Sequence, residues 1–362
     1  MGFIDFDSEI KKISDSVLDF IENDSFAEQI VPIELAEAVV DYPEHGGKRI
    51  RPTLLLWTCG MLNGDVETAL PAAVAVEIYH NWTLVHDDII DQDKIRRGRP
   101  TSHIFLQKYA ETAFRQATYS ECEAFGKSFA ILCGDIQQGW AIDILCKLTD
   151  YGFAPDLVLR LVHAMQTDLN RKLISGEALD VEFAYWNPND VKEEDVLLMI
   201  DGKTSEIFRF AVQAGAALAI GRYEPLSTLF EKLSEFAMSL GRAFQIQDDL
   251  LDVFGDVKQS GKTICSDFQE AKPTLLYLSA LRRMNQAGAK ELSSYLGLPN
   301  YHDEKTVSRI RQLLTECGAK QELSDMADSL TKKAISILET FPDNKYRSLL
   351  IELSKRLTGR MN

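Results

Sequence analysis

The chain has 362 residues, 45% of them hydrophobic, enough to bury a large core in one big domain or two smaller ones. Lys plus Arg number 39 against 55 Asp plus Glu, a formal net charge of -16, which repels nucleic acid and anionic membranes and argues against both as partners. No apolar stretch reaches the roughly 18 to 20 residues a membrane helix needs, and the acidic start MGFIDFDSEIKK lacks a signal core, so a cytoplasmic protein with no membrane span is expected.

Hydrophobic residues recur at helical spacing almost throughout, and no alternating strand or hairpin signal stands out, which predicts an all-α fold. The first punctuation is Gly46-Gly47-Lys48-Arg49-Ile50-Arg51-Pro52, a glycine turn into a helix start, where backbone amides and the helix dipole favour an anion. Val74, Ile78, Trp82, Val85 and Ile89 then mark an amphipathic helix ending in Asp87-Asp88-Ile89-Ile90-Asp91, a DDxxD cluster. Asp87 and Asp91, at i and i+4, share a face. His80, seven residues before Asp87, lies on nearly the same face; His86 and His103 have no metal-ligand partner at helical spacing. A basic loop follows, Arg96-Arg97-Gly98-Arg99-Pro100.

Further helical patterns run over about 127–147, 154–180 and 191–220, the last interrupted at Gly202-Lys203-Thr204, where a glycine predicts a kink exposing a backbone carbonyl. The pattern over about 225–254 ends in a second DDxxD, Asp248-Asp249-Leu250-Leu251-Asp252, preceded by Gln245. Gly261-Lys262 forms a basic loop after it, and helices are expected over 303–315 and 323–341. None of the breaks resembles a long linker, so one domain over 1–362 is preferred, with its motifs within about 42–280 and C-terminal helices over about 300–362. The six cysteines, at 59, 122, 133, 146, 265 and 317, form no CxxC pair, which argues against a zinc knuckle and predicts reduced, buried thiols.

Like charges at i,i+4 cost a helix roughly 0.2–0.5 kcal/mol per pair, with no structural return. Two carboxylate triplets set among Leu, Val and Ile, each ending a long helix, therefore point to metal-bridged diphosphate binding. Magnesium prefers oxygen ligands and takes one or two carboxylates together with substrate phosphates. The Lys and Arg groups nearby would then reverse the sign of the overall charge locally.

In order along the chain, GGKRIRP, LVHDDIIDQDKIRRGRPTSH, ILCGD, GKTSEIF, FQIQDDLLDVFGD and GKTICSDFQEAKPTL resemble the trans-isoprenyl diphosphate synthases, the polyprenyl synthetase family. The resemblance implies a bundle of about ten or more helices around a central cavity, a homodimer, and about three magnesium ions per site, with manganese as a substitute. It assigns the metal to Asp87, Asp91 and Asp248, with Asp88, Asp249 and Asp252 in support. Arg96, Lys203 and Lys262 would grip an allylic diphosphate (dimethylallyl, geranyl or farnesyl). Lys48, Arg51, His80 and Arg97 would hold isopentenyl diphosphate. Gln245 and Thr204 would face the allylic cation formed when the diphosphate leaves.

Tyr79, Trp82 and Thr83, one and two turns before Asp87, would form a floor limiting product length. The bulky Trp82 beside the small Thr83 looks more like a geranylgeranyl (C20) than a farnesyl (C15) synthase, although helical phase alone puts Thr83 on the Asp87 face. The sequence departs from the family pattern at Glu177, where glutamine is usual, at Ala271, where glycine is common, and in a longer segment over about 104–125. Farnesyl or longer-chain synthases are the alternatives. A class I terpene cyclase would need no second diphosphate site, and a non-catalytic partner subunit typically loses one aspartate cluster.

Overall fold

The computed structural model describes residues 5–188, 190–255, 264–298 and 303–359. The chain forms two compact units: Met1–Met165 with Ala211–Pro225, and Gln166–Phe210 with Leu226–Asn362. Both are helical. Among the described residues no helix is long and apolar enough to cross a membrane.

In the first unit, α1 (Phe6–Glu22), α2 (Ile33–Glu44) and α3 (Ile50–Met61) lead to α4 (Leu70–Ile90). Every residue from Pro71 to Tyr79 is buried, so α4 lacks a polar stripe over its first half. A helix apolar all round belongs in a core, and here α1, α2, α3, α5 (Ser102–Ala113) and α6 (Tyr119–Cys146) pack around α4. A capping box starts α6: the Thr118 amide donates to Glu121 Oε2 at 2.7 Å, and the Glu121 amide to Thr118 Oγ1 at 3.3 Å.

The segment over about 104–125 comprises most of α5, a turn and the start of α6. Its turn is closed by aromatic contacts, Phe114–Phe125 at 5.2 Å and Phe125–Phe129 at 4.0 Å between ring centroids. A Cβ on Gly126 would stand 2.3 Å from the His103 carbonyl oxygen, so only glycine lets α5 and α6 approach this closely. The unit also contains α7 (Pro155–His163).

One local element departs from the all-helix expectation. Residues 95–100 form a two-stranded hairpin, β1 (Ile95–Arg96) and β2 (Arg99–Pro100), pairing Ile95 with Pro100 and Arg96 with Arg99. Arg97 and Gly98 both have positive φ, 53° and 76°, as a two-residue turn matching strand twist requires. Strands this short carry no detectable alternation.

The second unit contains α8 (Asn170–Phe183), α9 (Glu193–Ile200), the start of α10 (Glu206–Ile220), α11 (Thr228–Phe254), α12 (Ser266–Gln269), α13 (Leu275–Arg283), α14 (Gln286–Ser293), α15 (Glu304–Glu316), α16 (Ala319–Leu338) and α17 (Lys345–Thr358). Its core gathers Ile246, Leu250 and Val253 of α11 with Leu276 and Tyr277 of α13, Leu313 and Leu314 of α15, and Leu323 of α16. The predicted kink at Gly202 is a π-helical turn, Asp201–Ser205. All six cysteines are free, but Cys146 is exposed and Cys317 half-buried, which corrects the expectation that all are buried.

Candidate active site

Both aspartate clusters fall at helix C-termini, where the dipole is negative and carboxylates are unwelcome. In the first unit Asp87 and Asp88 lie in the last turn of α4, and Asp91 caps it, its amide donating to the Asp87 carbonyl at 2.8 Å. Arg96 folds back from the hairpin to offset this charge. Its Nε donates to Asp88 Oδ1 at 2.6 Å, and its Nη2 lies 3.4 Å from Asp87 Oδ2. The Tyr42 hydroxyl donates to the second oxygen of Asp88 and accepts from the Ser102 amide at 3.2 Å. Burial pushes the Asp88 carboxyl up, while Arg96 and Tyr42 pull it back. Burial is the largest single influence on Arg96 and opposes its charge, but the bond to Asp88 together with the charges of Asp88 and Asp87 outweighs it, and the guanidinium holds its proton more tightly than usual.

The two basic segments meet. Gly46 and Gly47 adopt φ of 81° and 98°, and a Cβ on either would stand 3.1 Å from the Arg97 side chain; bare backbone lets Arg97 lie across the turn. Arg97 Nη1 donates to the His45 carbonyl at 3.1 Å. Arg51 stands in the first turn of α3, with Lys48 exposed on the turn before it. Burial, reinforced by Arg97 against the pull of Glu77, lowers Arg51 to about 10. Burial and then Arg51, Arg97, Arg96 and Arg49 hold the His80 imidazole well below 6.5. Arg51, His80 and Arg97 thus form one electropositive cluster that an anion would relieve. Arg49, by contrast, is an anchor: with φ of 46° it buries its guanidinium on Glu77 at 2.7 Å.

Behind the first cluster, Tyr79 and Trp82 are buried and meet edge to face at 4.9 Å. Thr83 is half-buried, its hydroxyl donating to the His80 carbonyl at 2.7 Å. The buried His103 lies 3.3 Å from the Thr101 hydroxyl.

In the second unit Lys203, on the π turn, lies 2.7 Å from Asp180 Oδ2 and 2.9 Å from Glu177 Oε2. Lys272 shares Asp180 at 3.4 Å and meets Glu270 at 2.7 Å. Glycines set this geometry too: a Cβ on Gly176 would stand 2.3 Å from the Lys203 amide nitrogen. The Thr204 hydroxyl donates to Gln245 Oε1 at 2.8 Å, and Gln245 Nε2 donates to Asp249 Oδ1 at 2.9 Å. Asp248 is exposed, whereas Asp249 is buried. Burial, helped by the charges of Asp248, Asp252 and Asp180 against the Gln245 hydrogen bond, pushes Asp249 up to about 7. Asp252 accepts from the Ser266 amide at 3.0 Å and hydroxyl at 2.7 Å, capping α12. Burial, then Asp252 and Asp249, raise Asp267 well above the carboxylate range. Lys262 lies outside the described residues.

The donor chemistry fits magnesium. Every candidate ligand is a carboxylate oxygen, and burial, with the repulsion of neighbouring carboxylates behind it, already raises Asp249 and Asp267, a cost of negative charge that a divalent cation would relieve. Asp88 is committed to Arg96 and Tyr42, and Asp252 to Ser266, which suits them to support rather than ligation. Among the described residues no three His, Cys, Asp or Glu side chains are grouped to hold an ion alone.

Sequence reasoning missed Tyr42, Glu77, Asp180 and Lys272. Lys272 stood inside a quoted motif and Asp180 one turn after Glu177; nothing local singles out Tyr42, 46 residues from Asp88.

The chain matches the Polyprenyl synthetase family over residues 33–314. It is 34% identical over 313 residues to a short chain isoprenyl diphosphate synthase of Methanocaldococcus jannaschii, covering 86% of this chain and 84% of that protein. It is 34% identical over 298 residues to a geranylgeranyl diphosphate synthase of Saccharolobus solfataricus, covering 82% and 81%. Among solved structures, a geranylgeranyl pyrophosphate synthase of Corynebacterium glutamicum, complexed with isoprenyl diphosphate and magnesium, superposes with a TM-score of 0.85 at 27% identity, covering 99% and 100% of the two chains. Carboxylate-ended helices, an arginine-rich cluster and this match over most of the sequence go together: the chain belongs to the polyprenyl synthetase family and is a trans-prenyltransferase.

Proposed function

We propose that the chain condenses isopentenyl diphosphate head to tail with an allylic diphosphate and releases geranylgeranyl diphosphate, C20, as its main product. The observation that carries the two-substrate reading is the cluster of Arg51, His80 and Arg97, an anion site of its own beside the Asp87–Arg96 set. A terpene cyclase would have no use for it.

Lys48, Arg51, His80 and Arg97 hold the isopentenyl diphosphate, where a neutral imidazole can donate one hydrogen bond while the guanidiniums carry the charge. Arg96, Lys203 and Lys262 grip the allylic diphosphate. Asp87, Asp91 and Asp248 bind magnesium, with Asp88, Asp249 and Asp252 in support. Magnesium, when bound, draws electron density toward the leaving diphosphate and stabilises it. Gln245, polarised by Thr204 and Asp249, turns a fixed dipole toward the allylic cation. The C20 assignment rests on relatives named as geranylgeranyl diphosphate synthases and on the small Thr83 beside Trp82. The bulk of Trp82 favours a farnesyl product as the second reading.

Mass spectrometry of products from dimethylallyl, geranyl and farnesyl diphosphate with isopentenyl diphosphate tests the assignment. A C20 end product from all three supports it; accumulation of C15, or of products beyond C20, refutes it. We also read the chain as a cytoplasmic homodimer, on its free cysteines and the exposed Phe105, Phe114, Ile131 and Leu132 of α5 and α6 and the turn between them. Light scattering should return twice the chain mass, and a monomer at micromolar concentration would remove that reading.

A further inference from the structure

The segment Ile131-Leu132-Cys133-Gly134-Asp135 has no part in the substrate and metal roles given so far, yet it meets the residue before the first aspartate cluster directly. His86, the residue before Asp87, places its Nε2 3.1 Å from the Ile131 carbonyl oxygen on α6. A carbonyl only accepts, so Nε2 is the donor. The approach depends on Gly134: a Cβ there would stand 2.3 Å from His86 Nε2 and 2.6 Å from Cδ2. On its other side the ring lies edge-on to Trp82, with centroids 6.0 Å apart. Asp135 Oδ1, on a largely exposed side chain, lies 3.9 Å from Nε2, too far to replace the carbonyl as partner.

The last turn of α4 needs such a tether. It ends in three carboxylates at the negative pole of a helix, two of them a like-charged i,i+4 pair, and both effects favour fraying. Arg96 offsets the charge but is itself carried on a surface hairpin. His86 instead joins the turn to the backbone of a 28-residue helix. We propose that His86, seated in the notch at Gly134, is a positioning residue that fixes the final turn of α4 so that Asp87 and Asp91 stand ready for magnesium and the allylic diphosphate. The inference rests on the assignment of Asp87 and Asp91 as metal ligands.

Calorimetry of magnesium–pyrophosphate binding reads this directly, alongside isopentenyl diphosphate binding in EDTA. His86→Leu should weaken magnesium–pyrophosphate binding about tenfold, the scale typical of losing a partner that orients a metal ligand. Isopentenyl diphosphate binding should hold within about twofold. His86→Gln, whose amide nitrogen can reach the Nε2 position, should restore most of the loss. Gly134→Ala, which must displace the ring, should reproduce the His86→Leu defect, and the double variant should be no worse than the poorer single one. Unchanged magnesium–pyrophosphate affinity in His86→Leu, or additive losses in the double variant, overturns the proposal. If His86→Leu does not fold, Gly134→Ala alone decides. Asp87→Ala separates the two claims: if it still binds magnesium–pyrophosphate normally, the ligand assignment itself has failed.

Discussion

In the proposed site His80 acts through its charge state. Burial and four arginines hold its folded-state pKa well below 6.5, so above that value the imidazole is neutral in folded and unfolded chains alike. As pH falls below 6.5 the unfolded chain takes up a proton that the folded chain refuses, and stability is lost. Urea midpoints should therefore drop between pH 7.5 and 5.5 in the parent, and drop less in His80→Gln. An equal drop in both would show that His80 does not sit in this positive field. The residue scale is also where the sequence was least informative. That Arg49 rather than Arg51 anchors on Glu77 goes with a left-handed φ at Arg49, which no local pattern announces. Ala271 is the reverse case: its φ of 57° shows why glycine is common there in the resembling sequences, and the departure leaves a side chain in a conformation glycine adopts more cheaply.

At the scale of elements, helical periodicity was legible because most helices bury one stripe and expose the other. Patterns expected over 225–254 and 303–315 correspond to Thr228–Phe254 and Glu304–Glu316. The hairpin at 95–100 was not legible, since two-residue strands have no period and their turn depends on an arginine at positive φ. On α4 the floor residues can be argued from packing. One helical turn rises about 5.4 Å, similar to an isoprene unit, and Trp82 fills the turn before Asp87, wedged between Tyr79 and His86. Trp82→Ala should open that turn and shift product toward longer chains by one or more isoprene units. An unchanged product distribution by mass spectrometry would remove Trp82 as the floor and leave Thr83 to be tested.

At the scale of the whole molecule, a chain of net charge -16 handles anionic substrates by concentrating positive charge where it is needed. The aspartate clusters could be read from sequence because six carboxylates among Leu, Val and Ile cost stability without repaying it. The side chains that hold the site together could not, because Tyr42, Asp180 and Lys272 reach their partners only through tertiary packing. The central claim is that Asp87 and Asp248 both serve magnesium-dependent ionisation of the allylic substrate. It is tested most directly by incorporation of labelled isopentenyl diphosphate with farnesyl diphosphate and magnesium, in the parent, Asp87→Ala and Asp248→Ala, each checked for unchanged helical circular dichroism. The account predicts turnover in the parent that EDTA abolishes, and a loss of at least a hundredfold in each variant, equivalent to about 2.7 kcal/mol of transition-state stabilisation. Near-normal incorporation by either variant with its helicity intact would contradict it.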